Sequence, residues 1–212
     1  MQQVKKKNKT LIFGIIVVII GVIIGIIPIF IDRNKKEIEN TKIDEYLTTT
    51  SNKKENDDKQ QEPNKDEIIS KENNEKLEEY IMILEIPKVD LKKGIYPKNS
   101  KLNTIEKNVA ILKESSFPNE ENGNVILAAH NGDSSISYFN QLHKMNVKDK
   151  AYIYYRGIKY TYVVDKIYDV EKDGDVEIER DKDKNALTLI TCRKNKNKHI
   201  VIVLYLEEKI EY

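Results

Sequence analysis

The sequence predicts a mainly β protein: a closed barrel with one or two short helices, preceded by a single transmembrane helix. Three observations carry that reading. From about Lys76 onward, short runs rich in Val, Ile, Leu, Tyr and Thr follow one another, separated by turn residues. Many strands at short spacing favour a barrel over a layered α/β fold. A long uncharged run lies near the N-terminus, and a polar stretch separates it from the strands.

The uncharged run, Leu11 to Ile31, is apolar on every helical face. At about 1.5 Å per residue it spans about 30 Å, the thickness of a bilayer's hydrocarbon core. A secretory signal has a shorter apolar stretch and a small-x-small cleavage site. Here the run ends in Pro28-Ile29-Phe30-Ile31-Asp32-Arg33, which reads as an uncleaved signal anchor over residues 11–31. Lys5, Lys6, Lys7 and Lys9 precede it with no acid among them, whereas Arg33, Lys35 and Lys36 are diluted by Asp32, Glu37 and Glu39. The positive-inside rule predicts a cytoplasmic basic N-terminus, residues 1–10, and an extracellular remainder, hence a single-pass cell-membrane protein. Gly21 and Gly25 form a G-x-x-x-G pair, a pattern too common in such spans to assign a helix partner.

Residues 32–75 are rich in Lys, Glu, Asn, Asp, Gln and Thr. Too little apolar surface is available there for an independent core, so a flexible or partly helical extracellular stalk is expected. Residues 76–212 form the barrel domain, long enough for one core. Expected strands are Tyr80–Ile86, Val89–Tyr96, Asn124–Ala129, Ala151–Tyr155, Tyr160–Val170, Ala186–Thr191 and His199–Leu206. Arg156-Gly157 reads as a hairpin turn. Leu102–Asn108 suggests a helical turn, and Ser137–Met145 places Tyr138, Leu142 and Met145 at helical spacing. The formal net charge of +1 excludes bulk attraction to nucleic acid.

The chemistry concentrates at two strand ends. Ala186-Leu187-Thr188-Leu189-Ile190-Thr191-Cys192 is a buried-strand pattern closed by the chain's one cysteine. It runs into the basic loop Arg193-Lys194-Asn195-Lys196-Asn197-Lys198, and a thiol beside fixed positive charge loses its proton more readily. Asn124-Val125-Ile126-Leu127-Ala128-Ala129 ends likewise in His130. A strand-end Cys and a strand-end His are the minimum pair for covalent acyl transfer. One cysteine makes no internal disulfide, and in an exported chain a leftover thiol suggests a reactive residue or an intermolecular bridge. The alternative is an inert core cysteine beside a hydrogen-bonded loop histidine.

These residues resemble the sortase family, the membrane-anchored cysteine transpeptidases of Gram-positive surfaces. Thr188-Leu189-Ile190-Thr191-Cys192 matches the family's T-L-x-T-C strand, and Asn124 to Asn131 resembles the strand that ends in its catalytic His. Ile86-Pro87-Lys88-Val89-Asp90-Leu91 resembles its early I-P-x-(I/V)-x-L element. The resemblance covers roughly Tyr80 to Leu206 and the anchor. It implies an eight-stranded barrel that cleaves an L-P-x-T-G-like C-terminal sorting signal of a secreted protein. It further implies Cys192 as nucleophile and His130 as acid and then base, with an amine of peptidoglycan or a pilin resolving the thioester. The abundant Lys, Asn and Ile fit an AT-rich, low-GC Gram-positive source.

The family normally has an Arg at the start of the strand after the Cys loop. This chain has Asn197-Lys198-His199-Ile200 there, so Lys198 or His199 occupies the position. Arg193 and Lys198 are the candidates for the oxyanion-side role, although neither a Lys nor a His reproduces a guanidinium fork. A structural role is favoured for His199, and a surface or packing role for His143. Asp173-Gly174-Asp175 reads as a turn rather than a calcium loop. Glu120-Glu121 and Glu207-Glu208 read as solvated charge. No cofactor and no metal is expected. Two other functions stay open: a sortase-like barrel that binds surface-protein tails but turns over weakly, and a tethered structural module with an inert Cys.

Overall fold

The computed structural model describes residues 2–52, 79–172, 176–194 and 196–212. Two compact units divide the chain, Met1–Lys42 and Ile43–Tyr212. Helix α1 runs Gln2–Asn52. From Ile12 to Ile31 its large apolar side chains are exposed, and the helix is long and apolar enough to cross a membrane.

The polar stretch from residue 32 is helical as far as Asn52. Its last turns belong to the second unit. Ile43 is buried, the Tyr46 hydroxyl donates to the Ile81 carbonyl at 2.7 Å, and Ser51 Oγ donates to the carbonyl of Tyr212. The second compact unit thus includes the last turns of α1 from Ile43. The remainder of the expected stalk, residues 53–78, lies outside the described residues, as does the Asp173-Gly174-Asp175 turn.

Eight strands form one sheet: β1 Met82–Ile86, β2 Leu91–Ile95, β3 Ala110–Ile111, β4 Asn124–Ala128, β5 Lys150–Tyr155, β6 Ile158–Glu171, β7 Ala186–Cys192 and β8 Lys198–Glu211. Their order is β2-β1-β5-β6-β8-β7-β4-β3, rolled into a nearly closed barrel. Every pairing is antiparallel except β4 with β7. The core takes alternate residues of each strand, including Leu84, Leu127, Ile153, Tyr162, Leu189 and Ile202. That is the period-2 alternation of a sheet, although β4 and β7 are buried on both faces along most of their length.

The differences from the expected strands have local causes. Pro87–Val89 is a 3-10 turn, and Asp90 follows it in the left-handed region (φ 51°), so β2 starts only at Leu91. Strand β3 is two residues long, too short for any periodicity to show. Over 137–145 the chain forms turns and a single 3-10 turn, Leu142–Lys144; Leu142 and Met145 are buried as their spacing suggests, but Phe139 rather than Tyr138 is fully buried beside them. Leu102–Asn108 is likewise turns, closed by Asn108 N–H on the Thr104 carbonyl at 2.9 Å. Arg156 and Gly157 both have positive φ (51° and 74°), the two-residue turn whose twist suits a hairpin.

The β4–β7 ladder positions everything that follows. Its register pairs Asn124 with Ala186 and Ala128 with Ile190. Past the end of β4, Ala129 N–H still donates to the Ile190 carbonyl at 3.3 Å. Buried Thr191 Oγ1 donates back to the Ala129 carbonyl at 2.7 Å. Thr191→Val keeps the shape and leaves that carbonyl without its hydroxyl partner. The expected cost is about 1–3 kcal/mol in chemical denaturation; a loss indistinguishable from zero contradicts the clamp.

Candidate active site

Strands β4 and β7 run in the same direction, so their C-terminal ends reach the same rim of the barrel. Val125 and Leu127 on β4, Ala129 just past its end, and Leu187 and Leu189 on β7 face the core. Alternation sends Ile126, Ala128, Ile190 and Cys192 to the opposite face, and carried one residue past Ala129 it sends His130 there too. His130 and Cys192 therefore end neighbouring strands side by side, both half-buried. Asn131 fixes the junction: its Nδ2 donates to the Cys192 carbonyl at 2.6 Å. The His130 carbonyl in turn accepts from Phe139 N–H at 3.1 Å, tying the rim to a fully buried aromatic ring.

On the other side of Cys192 lies β8. The hairpin loop closes with Arg193 N–H on the Lys198 carbonyl at 2.8 Å, which sets Cys192 opposite His199. Continuing across the sheet, His199 pairs with Val170 and Lys198 with Glu171 of β6.

The two cations singled out by sequence both meet carboxylates of β6. Arg193 Nε and Nη2 donate to Asp169 Oδ1 at 2.8 and 2.6 Å. Lys198 Nζ lies 2.8 Å from Glu171 Oε1. Lys194 Nζ bonds both carboxylate oxygens of Asp133, at 2.8 and 2.9 Å, crossing from the β7–β8 loop to the segment after His130. Lys198 is held further above its ordinary range, mainly by its hydrogen bond to Glu171. Its charge is thus compensated rather than directed at the thiol.

Two other groups bear on the rim. Burial pushes the His199 imidazole below its ordinary pKa, and the nearby Lys172 charge adds to the shift, while the Thr191 backbone opposes it weakly. His199 Nδ1 is enclosed and makes no hydrogen bond of sound geometry. The exposed Glu106 carboxyl is held below the usual range by its own backbone N–H and the Thr104 hydroxyl, with the His130 charge adding a smaller pull. Sequence reading missed Asn131, Asp169, Glu171 and Glu106. Only the hairpin register could have pointed to two of them, since Glu171 and Asp169 meet the Cys loop solely through β6–β8 pairing. His143 is exposed, with Nδ1 3.0 Å from the Asn140 carbonyl, the surface role expected of it. Among the described residues no three His, Cys, Asp or Glu side chains gather as metal ligands.

A nearly closed eight-stranded barrel, with a Cys and a His ending adjacent parallel strands and an apolar helix ahead of it, defines a narrow class of protein. The sortase domain model matches residues 84–207, more than half of the chain, and the chain belongs to the sortase family. Among solved structures it is similar to sortase C of Streptococcus pneumoniae, described for its pilin substrate specificity. Identity there is 25% with a TM-score of 0.54, over 60% of this chain and 68% of that one. Sortase C1 of Streptococcus agalactiae is 26% identical with a TM-score of 0.53, over 59% of this chain and 66% of that one. Listeria monocytogenes sortase A shares the fold at 21% identity and a TM-score of 0.54, over 63% and 90% of the two chains. No curated protein matches the chain in sequence.

The depressed pKa of His199 has a signed consequence. The folded state prefers the neutral ring, so this contribution to stability is full above the unfolded value of 6.5 and is lost as pH falls below it, through the lower folded value. His199→Phe should flatten the decline of the thermal midpoint between neutral and acid pH. An unchanged decline contradicts the assignment.

Proposed function

We propose that this protein is a membrane-tethered cysteine transpeptidase, acting on a C-terminal L-P-x-T-G-like sorting signal of secreted proteins. The observation that supports it best is the β4–β7 register, which ends His130 and Cys192 side by side on one rim. The Cys192 thiolate attacks the carbonyl of the scissile Thr–Gly bond, and a tetrahedral oxyanion forms. His130 gives a proton to the leaving amine, the C–N bond breaks, and a thioester remains on Cys192. His130 then takes a proton from an incoming amine, which displaces the thiol and releases the joined product. One imidazole serves both steps because the ring can give a proton in one step and take one in the next.

The acceptor amine belongs to peptidoglycan or a pilin. The likeness to a sortase C described for pilin substrates supports a pilin as one such acceptor. The basic N-terminus lies in the cytoplasm, supported by Lys5, Lys6, Lys7 and Lys9 ahead of the span, and the barrel lies outside the cell.

The test uses the full chain in detergent micelles, incubated with a pool of sorting-signal peptides and read by intact mass. Wild type should gain one acyl mass from one peptide family, and Cys192→Ala should gain none. His130→Ala should lower turnover by about 10²–10⁴-fold with the fold retained. A folded wild-type chain with a titratable thiol and no adduct contradicts the proposal. So does near-normal turnover in the His130 variant.

A further inference from the structure

The β4–β7 ladder ends on a side chain rather than on a main-chain rung. In a parallel pair the bonds are evenly spaced, and the donors of one strand recur at every second residue. Ala129 N–H donates to the Ile190 carbonyl at 3.3 Å, so the next rung in this register would join Asn131 N–H to the Cys192 carbonyl. Among the described residues no backbone bond takes that rung. The chain has already left the strand: β4 ends at Ala128, and a bend at Gly132 starts the segment that leads to buried Phe139. The Cys192 carbonyl accepts from Asn131 Nδ2 instead, at 2.6 Å. Only the amide nitrogen can face a carbonyl oxygen, because the amide oxygen is itself an acceptor. A side-chain donor thus stands in for the missing main-chain one.

The position of this bond gives it its consequence. One residue earlier, Thr191 Oγ1 holds the Ala129 carbonyl. Beyond it the next tie is Lys194 with Asp133, whose side chains are 58% and 86% exposed and so hold little against solvent. Among the described residues no other bond joins the Cys192 main chain to the β4 side. On its other side Cys192 pairs with His199, in a hairpin closed by Arg193 N–H on the Lys198 carbonyl. His130 is held separately, through Phe139 N–H on its carbonyl at 3.1 Å. Without the Asn131 amide, Cys192 therefore moves with the β7–β8 hairpin while His130 stays with its own segment.

We propose that Asn131 is a positioning residue for acyl transfer: its Nδ2–H, donated to the Cys192 carbonyl, keeps the nucleophile's main chain beside the chain that carries His130. The inference rests on the roles given to Cys192 and His130 in the transpeptidase reading. A misplacement of about 1 Å between reacting groups costs about a hundredfold in rate.

An aspartate at this position has nearly the same shape and regains a donor only when its carboxyl is protonated. Asn131→Asp and Asn131→Ala are compared with wild type on the full chain in micelles, with Cys192→Ala as the blank. Turnover of the sorting-signal peptides and alkylation of Cys192 by iodoacetamide are both read by intact mass, the alkylation from neutral to acid pH. At neutral pH both variants should lose about tenfold to a hundredfold in kcat with KM little changed. In Asn131→Ala the alkylation rate relative to wild type should stay low at every pH. In Asn131→Asp it should climb above the Ala variant as pH falls through the carboxyl range, about 4 for a model Asp. Relief of the carboxylate charge alone would bring the Asp variant only to the Ala level. An Ala variant with wild-type turnover and alkylation overturns the role, and so does an Asp variant that never rises above it. If the acid recovery appears in alkylation while the peptide pool leaves wild type unmodified, the peptide substrate is wrong and Asn131 keeps its role.

Discussion

The parallel pairing of β4 with β7 is the constraint on which the rest depends. Parallel neighbours have no short connection, so the chain must leave β4, build the β5–β6 hairpin, and return before β7 can be laid beside it. In exchange, the two C-terminal ends meet at one rim, where an antiparallel pair would separate them by the length of the strand. Register matters as much as direction. A slip of one residue in either strand turns every side chain to the other face, which would bury Cys192 or His130 in the core. The register is held along the ladder by Leu127 and Leu189 in the core, and the buried Thr188 Oγ1 donates to Asn124 Oδ1 at 2.9 Å. At the rim it is held by Thr191 on Ala129 and by Asn131 on Cys192.

Charge around the rim is abundant, and among the described residues it is largely compensated. Three cations of the β7–β8 loop and its edges pair with three acids: Arg193 with Asp169, Lys194 with Asp133, and Lys198 with Glu171. Pairs at a solvated rim add little to stability, so their role is to orient the loop. They tether it to β6 on one side and to the chain after His130 on the other. The thiol accordingly sits among hydrogen-bonded neighbours and two imidazoles, rather than beneath an uncompensated positive charge as the basic loop alone suggests.

The strands that carry the site were legible because their patterns are strong. Both β4 and β7 read as continuous apolar runs, the mark of strands buried on both faces, and the chemistry sits at their final residues. The sortase resemblance rested on the same two runs together with the Ile86-to-Leu91 element and the anchor, and the domain match from residue 84 to 207 agrees with it. What stayed hidden was pairing. The sequence of β8 places Lys198 and His199 next to each other, and only the hairpin register tells which one faces Cys192. Likewise nothing in the local pattern links Asp169 or Glu171 to the Cys loop, because that contact runs through a third strand. The short elements failed for another reason: two residues of β3 and a single 3-10 turn at 142–144 are set by tertiary packing and leave no periodic signal. The stretch 32–52 is helical, within the flexible or partly helical character its composition allows, and its final turns dock through single residues such as Ile43 and Tyr46 that no periodic pattern singles out.

The central claim is that the β4–β7 register makes His130 and Cys192 a working pair. The most direct measurement is the rate at which iodoacetamide modifies Cys192 as a function of pH, in the wild-type chain and in His130→Ala. The account predicts that the two profiles differ, the wild-type profile carrying a pH-dependent step that the variant lacks. Superimposable profiles, each resembling a free model thiol, would contradict it.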